Sequence, residues 1–317
     1  MIVSTTAVLS SGLPPRGSLE DRRPRYGERA VIFGLFLCAA ISVLTTVAIV
    51  LALVPPTVDF FGEVSIREFL TGTKWSPLFA NPRFGVLPLV TGTLVTTACA
   101  LAVCVPVGLG SAIYLSEYAR TRTRHVLKPV LELLAGIPTV VYGYFALQVV
   151  GPIVQRLWPF GDRPGTFSAL SAGLVMGVMI IPTVGSLSED AMAAVPSDLR
   201  AGAYALGSTR RQVATRVVVP AALSGIVASF VLAITRAVGE TMIVLIAAGG
   251  QPNLAFNPGE AMQTMTAFIG AAGIGDQPTG STGYKTIFAV GSLLFVATFV
   301  MNLVSIRIVR KFREIYE

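Results

Sequence analysis

Charged side chains are scarce in this chain, 13% of its 317 residues against 53% apolar. A water-covered surface needs about a quarter charged residues, so an ordinary soluble domain is excluded. The chain has one histidine, His125, and three cysteines, Cys38, Cys99 and Cys104. Haem, zinc and iron–sulfur sites need clustered ligands, so none of these is expected. All three cysteines fall in apolar runs, where they pack as small hydrophobes. Strand-like alternation is lacking throughout. So are a G-x-S-x-G elbow and paired acids facing the histidine, which leaves no catalytic constellation. The nearest approach to a P-loop, Gly280-Ser281-Thr282-Gly283-Tyr284-Lys285-Thr286, lacks the Gly-Lys pair, so no nucleotide site is expected on this chain.

What is present is apolar length. Mean hydropathy is +0.71, and runs near the roughly 20 residues that span a hydrocarbon core occur six times, at about 29–54, 85–113, 129–154, 167–187, 217–248 and 284–308. The first is too long for a signal h-region and has no small-residue cleavage pattern, so it reads as a retained helix. The fold class is therefore an all-α integral membrane protein with six transmembrane helices. Residues 1–28, rich in Ser, Pro and Arg, are expected to be a disordered basic tail, 29–313 the membrane domain, and 314–317 a short C-terminal end.

A net charge of +7 and a pI near 9.6 would also suit a nucleic-acid binder, but the basic residues lie between the apolar runs and form no patch with aromatics. Their partition sets an orientation instead, because cytoplasmic loops carry the excess of Lys and Arg. Seventeen of the 24 lie in the N-terminal tail, the loops after the second and fourth spans, and the C-terminus; six lie in the opposite loops, and Arg236 lies inside a span. Both termini are expected in the cytoplasm.

The segment 186–220 is too long for a turn. Ser186-Leu187-Ser188-Glu189 and Thr209-Arg210-Arg211-Gln212 each match the capping box that starts a helix, and Gly207 separates the last two of the short helices. Leu199, Ala203 and Leu206 recur at helical spacing, which makes an apolar face that either docks a partner or packs on the protein's own base. Here the residues resemble a known pattern. Ala201-Gly202-Ala203, Gly207 and Val217-Val218-Val219-Pro220 are similar to the E-A-A, three residues, G, nine residues, I-x-L-P signature of permease subunits of bacterial ABC importers. Ala201 stands where the family has a glutamate, which removes one ionic contact to the ATPase. The resemblance implies that Ala203, Leu206 and Gly207 belong to a cytoplasmic coupling helix seated on an ATPase, within the type I importer permease architecture.

Four further blocks narrow it. Phe84 to Leu89, Leu109 to Tyr118, Glu132 to Gly143 and Arg236 to Met242 resemble, in order, the phosphate-importer permeases of the PstC type. That resemblance implies a subunit of the bacterial inner membrane and not an enzyme. Its partners would be a homologous permease of the PstA type, an ATPase of the PstB type that uses ATP and Mg, and an extracytoplasmic phosphate-binding protein of the PstS type. No cofactor is implied on this chain.

Arg236 and Glu240 are the exception to uncharged spans. A charge at the bilayer centre costs on the order of 2.5 to 3.5 kcal/mol. At i and i+4 the two share a helix face, either as a self-neutralising pair that fixes packing or as a substrate site. A guanidinium fork matches phosphate oxygens, and a carboxylate holds the fork or accepts a proton. Pro138 and Pro182 are expected to kink the third and fourth spans. Thr91, Thr93, Thr96 and Thr97 either line a polar path or bond to their own helix. Met262, Met265, Phe268 and Ile269 suggest a short helix on or dipping into the outer membrane surface, and with the loop 55–83 a docking face for a binding protein. Importers of sulfate, molybdate or phosphonate remain alternatives, and a membrane enzyme or stand-alone ion channel the alternatives of another class.

Overall fold

The computed structural model describes residues 26–79, 81–158 and 164–311. Most of the expected tail, 1–25, and the C-terminal end, 312–317, lie outside the described residues. Helix α1 (Tyr26–Glu63) takes in residues 26–28 and also Pro55 and Pro56, so the loop expected from position 55 is helical as far as Glu63. The chain divides into two compact units, up to Ala52 and from Leu53. The described part of the first is the start of α1, largely exposed and, beyond Arg29, without a charged residue.

In the second unit α2 (Ile66–Thr71) precedes α3 (Leu87–Ile113), which continues as a π turn over Tyr114–Tyr118. The third apolar run is not one helix. It forms α4 (Thr121–Ala135), α5 (Thr139–Phe145) and, after a π turn at Ala146–Val150, α6 (Gly151–Leu157). The chain bends by 86° between Ala135 and Thr139, because Pro138 has no amide hydrogen to donate and its ring clashes with the carbonyl four residues back. Helix α7 (Ala169–Ala193) is by contrast unbroken through Pro182. Then come α8 (Ser197–Ala205), α9 (Arg210–Val213), a π turn over Ala214–Val218, α10 (Val219–Ala221) and α11 (Leu223–Val238). A 72° bend separates α10 from α11 just after Pro220.

The fifth run, expected to be continuous from 217 to 248, is broken a second time: α11 stops at Val238 and α12 (Met242–Ala247) starts afresh. Helices α13 (Met265–Gly273) and α14 (Thr282–Lys311) complete the chain. Among the described residues four helices are long and apolar enough to cross a membrane, and up to six spans result if each bent pair counts as one. Among the described residues the β structure is limited to two isolated bridges, Trp75 to Phe84 and Gly249 to Met262.

The core is a seam between α3 and α7 built on small residues. A Cβ on Gly177 would lie 2.8 Å from the Ala100 carbonyl oxygen, and one on Gly108 would lie 2.7 Å from Cβ of Val184. Without a hydrophobic drive between helices in lipid, such close backbone approach is what van der Waals packing requires. Replacing Gly177 by Val should therefore overpack the seam and cost about 1–3 kcal/mol, read as a lower unfolding temperature of the purified chain in detergent. Gly110→Ala, at a glycine of α3 with nothing within 4 Å, should leave that temperature unchanged.

A second cluster is aromatic. Phe60, Phe69, Trp75 and Phe84 are buried with Phe268, and edge-on contacts such as Trp75 to Phe268, 4.9 Å between ring centroids, tie the α1–α3 connection to α13. Met262 precedes α13 instead of lying on it, and it is fully buried, as are nearly all of Met265 and Phe268. The expected surface helix is thus inside the protein, because its apolar residues meet this cluster. A third cluster joins Ala112, Met192, Val213, Val218 and Ile226 beneath α8 and α9.

Candidate functional site

Helix α8 follows Ala194, not residue 186. The Ser186 to Glu189 box starts no helix, because α7 runs on to Ala193 and its two inward side chains have tertiary partners. Ser188 Oγ lies 2.8 Å from Ser229 Oγ of α11. The fully buried Glu189 is bonded by Arg124 and by Lys128, the latter at 2.9 Å, and Lys128 also reaches Asp190 at 2.7 Å. The Thr209 to Gln212 box is real: the Thr209 hydroxyl accepts from the Gln212 amide and Gln212 Oε1 accepts from the Thr209 amide.

Helix α8 ends in a Schellman motif. Ser208 N–H donates to the Ala203 carbonyl at 3.1 Å and Gly207 N–H to that of Tyr204 at 2.9 Å. This geometry places C′ in the left-handed region, and Gly207 has φ +81°. The turn pushes Leu206 out of the protein, 89% exposed. Of the three coupling candidates, Leu206 and Gly207 face outward, while Ala203 is half-buried against the third cluster and so seats the helix. The face therefore divides: Ala203 packs on the protein's own base, and Leu206 is left uncovered. Arg200 fixes α8 from below: Nη2 meets Glu117 Oε1 at 3.1 Å and the Met192 carbonyl at 2.7 Å, and Nη1 meets the Val195 carbonyl at 2.5 Å.

Arg236 and Glu240 do not pair. Their i, i+4 relation holds only along a helix, and α11 ends between them, with Gly239 as its C-cap. Among the described residues Arg236 makes one hydrogen bond, Nη1 to Thr183 Oγ1 of α7 at 3.0 Å, and no ion pair. Glu240 is turned the other way, where Oε1 accepts the amides of Met242 and Ile243 at 3.1 and 3.3 Å. It caps α12, a favourable place for a negative charge, and its carbonyl accepts the Thr266 hydroxyl at 2.6 Å. A half-buried guanidinium with most of its donors free can receive an anion.

The threonines of α3 divide. Thr93 and Thr96 hydroxyls bond back to Leu89 and Gly92 of their own helix, and Thr93 Oγ1 also accepts the Met265 amide at 3.1 Å. Thr97 Oγ1 is buried without a partner. Sequence reasoning gave no tertiary role to Glu117, Arg200 or Thr183, and read Glu189 only as part of a helix start. Two acids at the ends of apolar runs, which are costly unless paired, were the available signal.

A family model described as "Binding-protein-dependent transport system inner membrane component" matches residues 104–313. The probable ABC transporter permease protein YqgH of Bacillus subtilis is 38% identical over 269 residues, covering 84% of this chain and 85% of the relative. The phosphate transport system permease protein PstC of Mesorhizobium japonicum is 33% identical, covering 74% and 75%, and that of Xylella fastidiosa is 30% identical, covering 98% and 99%. Among solved structures, a bacterial alginate ABC transporter superimposes with TM-score 0.56 at 17% identity, covering 89% of this chain and 96% of that one. The inward-facing methionine transporter MetNI does so with 0.53 at 19%, covering 73% and 95%. At such identities the structures speak for the fold alone, which is that of ABC importer permeases. Family match, relatives and fold agree: the chain belongs to the inner-membrane components of binding-protein-dependent transport systems.

Proposed function

We propose that the chain is the permease subunit of an ATP-driven importer of inorganic phosphate, with Arg236 and Glu240 on its pathway and Leu206 and Gly207 at its contact with a separate ATPase. Family membership implies an ATPase and a substrate-binding protein as partners; the finer reading is a PstB-type ATPase that supplies ATP and Mg chemistry, a PstA-type second permease and a PstS-type binding protein. Phosphate is supported by the PstC relatives. The observation that carries an anion is Arg236, a cation in an apolar helix with one hydroxyl partner and no acid among the described residues. An uncompensated charge there is expensive, and a bound oxyanion meeting the guanidinium fork offsets that cost. Glu240, whose Oε2 accepts no hydrogen bond from the described residues, is left to meet the anion's proton at the α11–α12 break. In cells lacking this chain, restoring it should restore uptake of labelled phosphate, and excess sulfate, molybdate or phosphonate should not compete; competition by one of them would reassign the substrate.

The same reading puts both termini in the cytoplasm, from the 17 to 6 partition of basic residues. A cysteine introduced near residue 20 or 315 should be shielded from impermeant thiol reagents in intact cells. Labelling of either would reverse the orientation or change the number of crossings.

A further inference from the structure

Helix α8 is bound to the membrane helices by one side chain more than by any other. Arg200 makes charge-assisted contacts to two different elements: Nε and Nη2 to Glu117 Oε1, at 3.3 and 3.1 Å, in the π turn that ends α3, and Nη1 and Nη2 to the carbonyls of Val195 and Met192 at the end of α7. The pair is largely withdrawn from water, with 21% of the Arg200 side chain and 5% of the Glu117 side chain exposed. Ser116 Oγ donates to the same Glu117 oxygen at 3.1 Å, which fixes the carboxylate.

Helix α7, which Arg200 grips at one end, carries Thr183 nine residues earlier, about 14 Å along a helix rising 1.5 Å per residue. Thr183 is the described partner of Arg236. The helix between them is continuous and packed on α3 through glycines, a rigid unit by construction.

We propose that Arg200 is a positioning residue that locks the docking helix to the α3–α7 pair, so that displacement of α8 by the ATPase moves α7 and with it the hydroxyl that holds Arg236. This rests on the docking reading of α8. The alternative is a staple that only keeps the loop folded. The two differ in one testable respect: a buried ion pair replaced by apolar groups of similar volume usually keeps or gains stability, whereas removing one partner leaves an uncompensated charge.

The test is therefore the double change Arg200→Met with Glu117→Met in the complete transporter, reconstituted in vesicles, with ATP hydrolysed per phosphate taken up as the readout. A photo-reactive amino acid at position 206 reports docking separately. The expected result is an assembled complex that still cross-links to the ATPase but uses about 2- to 30-fold more ATP per phosphate, the span over which coupling networks respond. Cross-linking with an unchanged ratio would overturn the role of Arg200 and leave docking intact. Absence of cross-linking in the otherwise unaltered chain would overturn docking itself, and this proposal with it. If the double variant does not assemble, Arg200→Lys decides in the same way: it keeps the charge opposite Glu117 but cannot span both carbonyls, so a raised ratio is expected and an unchanged one overturns the proposal.

Discussion

Arg236→Gln is expected to lower phosphate uptake about 10- to 100-fold, the equivalent of one charge-assisted contact worth roughly 1.5–3 kcal/mol, in a complex that still assembles. Assembly should survive because Arg236 has no ion-pair partner among the described residues to orphan: its bond goes to a neutral hydroxyl, Thr183. Arg236→Lys should recover only part of the activity, since it returns the charge without the fork. Glu240 separates the readings further. Its Oε1 receives two amides that a Gln side-chain oxygen can also receive, so Glu240→Gln should keep the fold and test the carboxylate's charge alone. Glu240→Ala should in addition cost about 0.5–2 kcal/mol through the lost cap. Normal uptake by Arg236→Gln, measured in vesicles with labelled phosphate, would remove the arginine from the pathway.

The second large effect is expected at the tip of α8. Leu206→Asp should leave the permease folded, because a side chain that is 89% exposed contributes little to its own core. It should nevertheless weaken ATPase binding by at least about 30-fold, as truncation of a central anchor costs 2 kcal/mol or more. Co-purification of the ATPase at several concentrations measures this directly. Gly207→Trp should also uncouple hydrolysis from uptake, for a mixed reason. Its φ of +81° costs a side-chain-bearing residue roughly 1–2 kcal/mol, so the Schellman turn that presents Leu206 is itself distorted. Undiminished co-purification with Leu206→Asp would mean that this tip is not an anchor.

How much of this was legible before the structure depends on the range of the forces involved. The spans were readable because apolar length is a local property, and the end of α8 at Gly207 was readable because capping chemistry is local too. The bend at Pro138 was half-readable: proline marks a break but not its angle, and Pro182 shows that a span also absorbs one without breaking; the bend after Pro220 was missed, because 217–248 reads as one apolar run. The shared helix face of Arg236 and Glu240 was misread, since i, i+4 spacing says nothing about a helix that stops at Val238. Ser188 and Glu189 were misread as a helix start because their partners, Ser229 and the basic residues of α4, lie 41 to 65 positions away in sequence. Arg200 gave no local sign at all. Its three partners come from the π turn after α3, the last turn of α7 and the α7–α8 connection, and only the fold brings them together.

The measurement that tests the central claim most directly is uptake of labelled phosphate by vesicles holding the purified transporter, with ATP and Mg on the ATPase side and the loaded binding protein on the other. The account predicts ATP-dependent accumulation that needs this chain, that fails without the binding protein, and that Arg236→Gln reduces. Accumulation of another oxyanion in place of phosphate, or passive equilibration that ignores ATP, would contradict it.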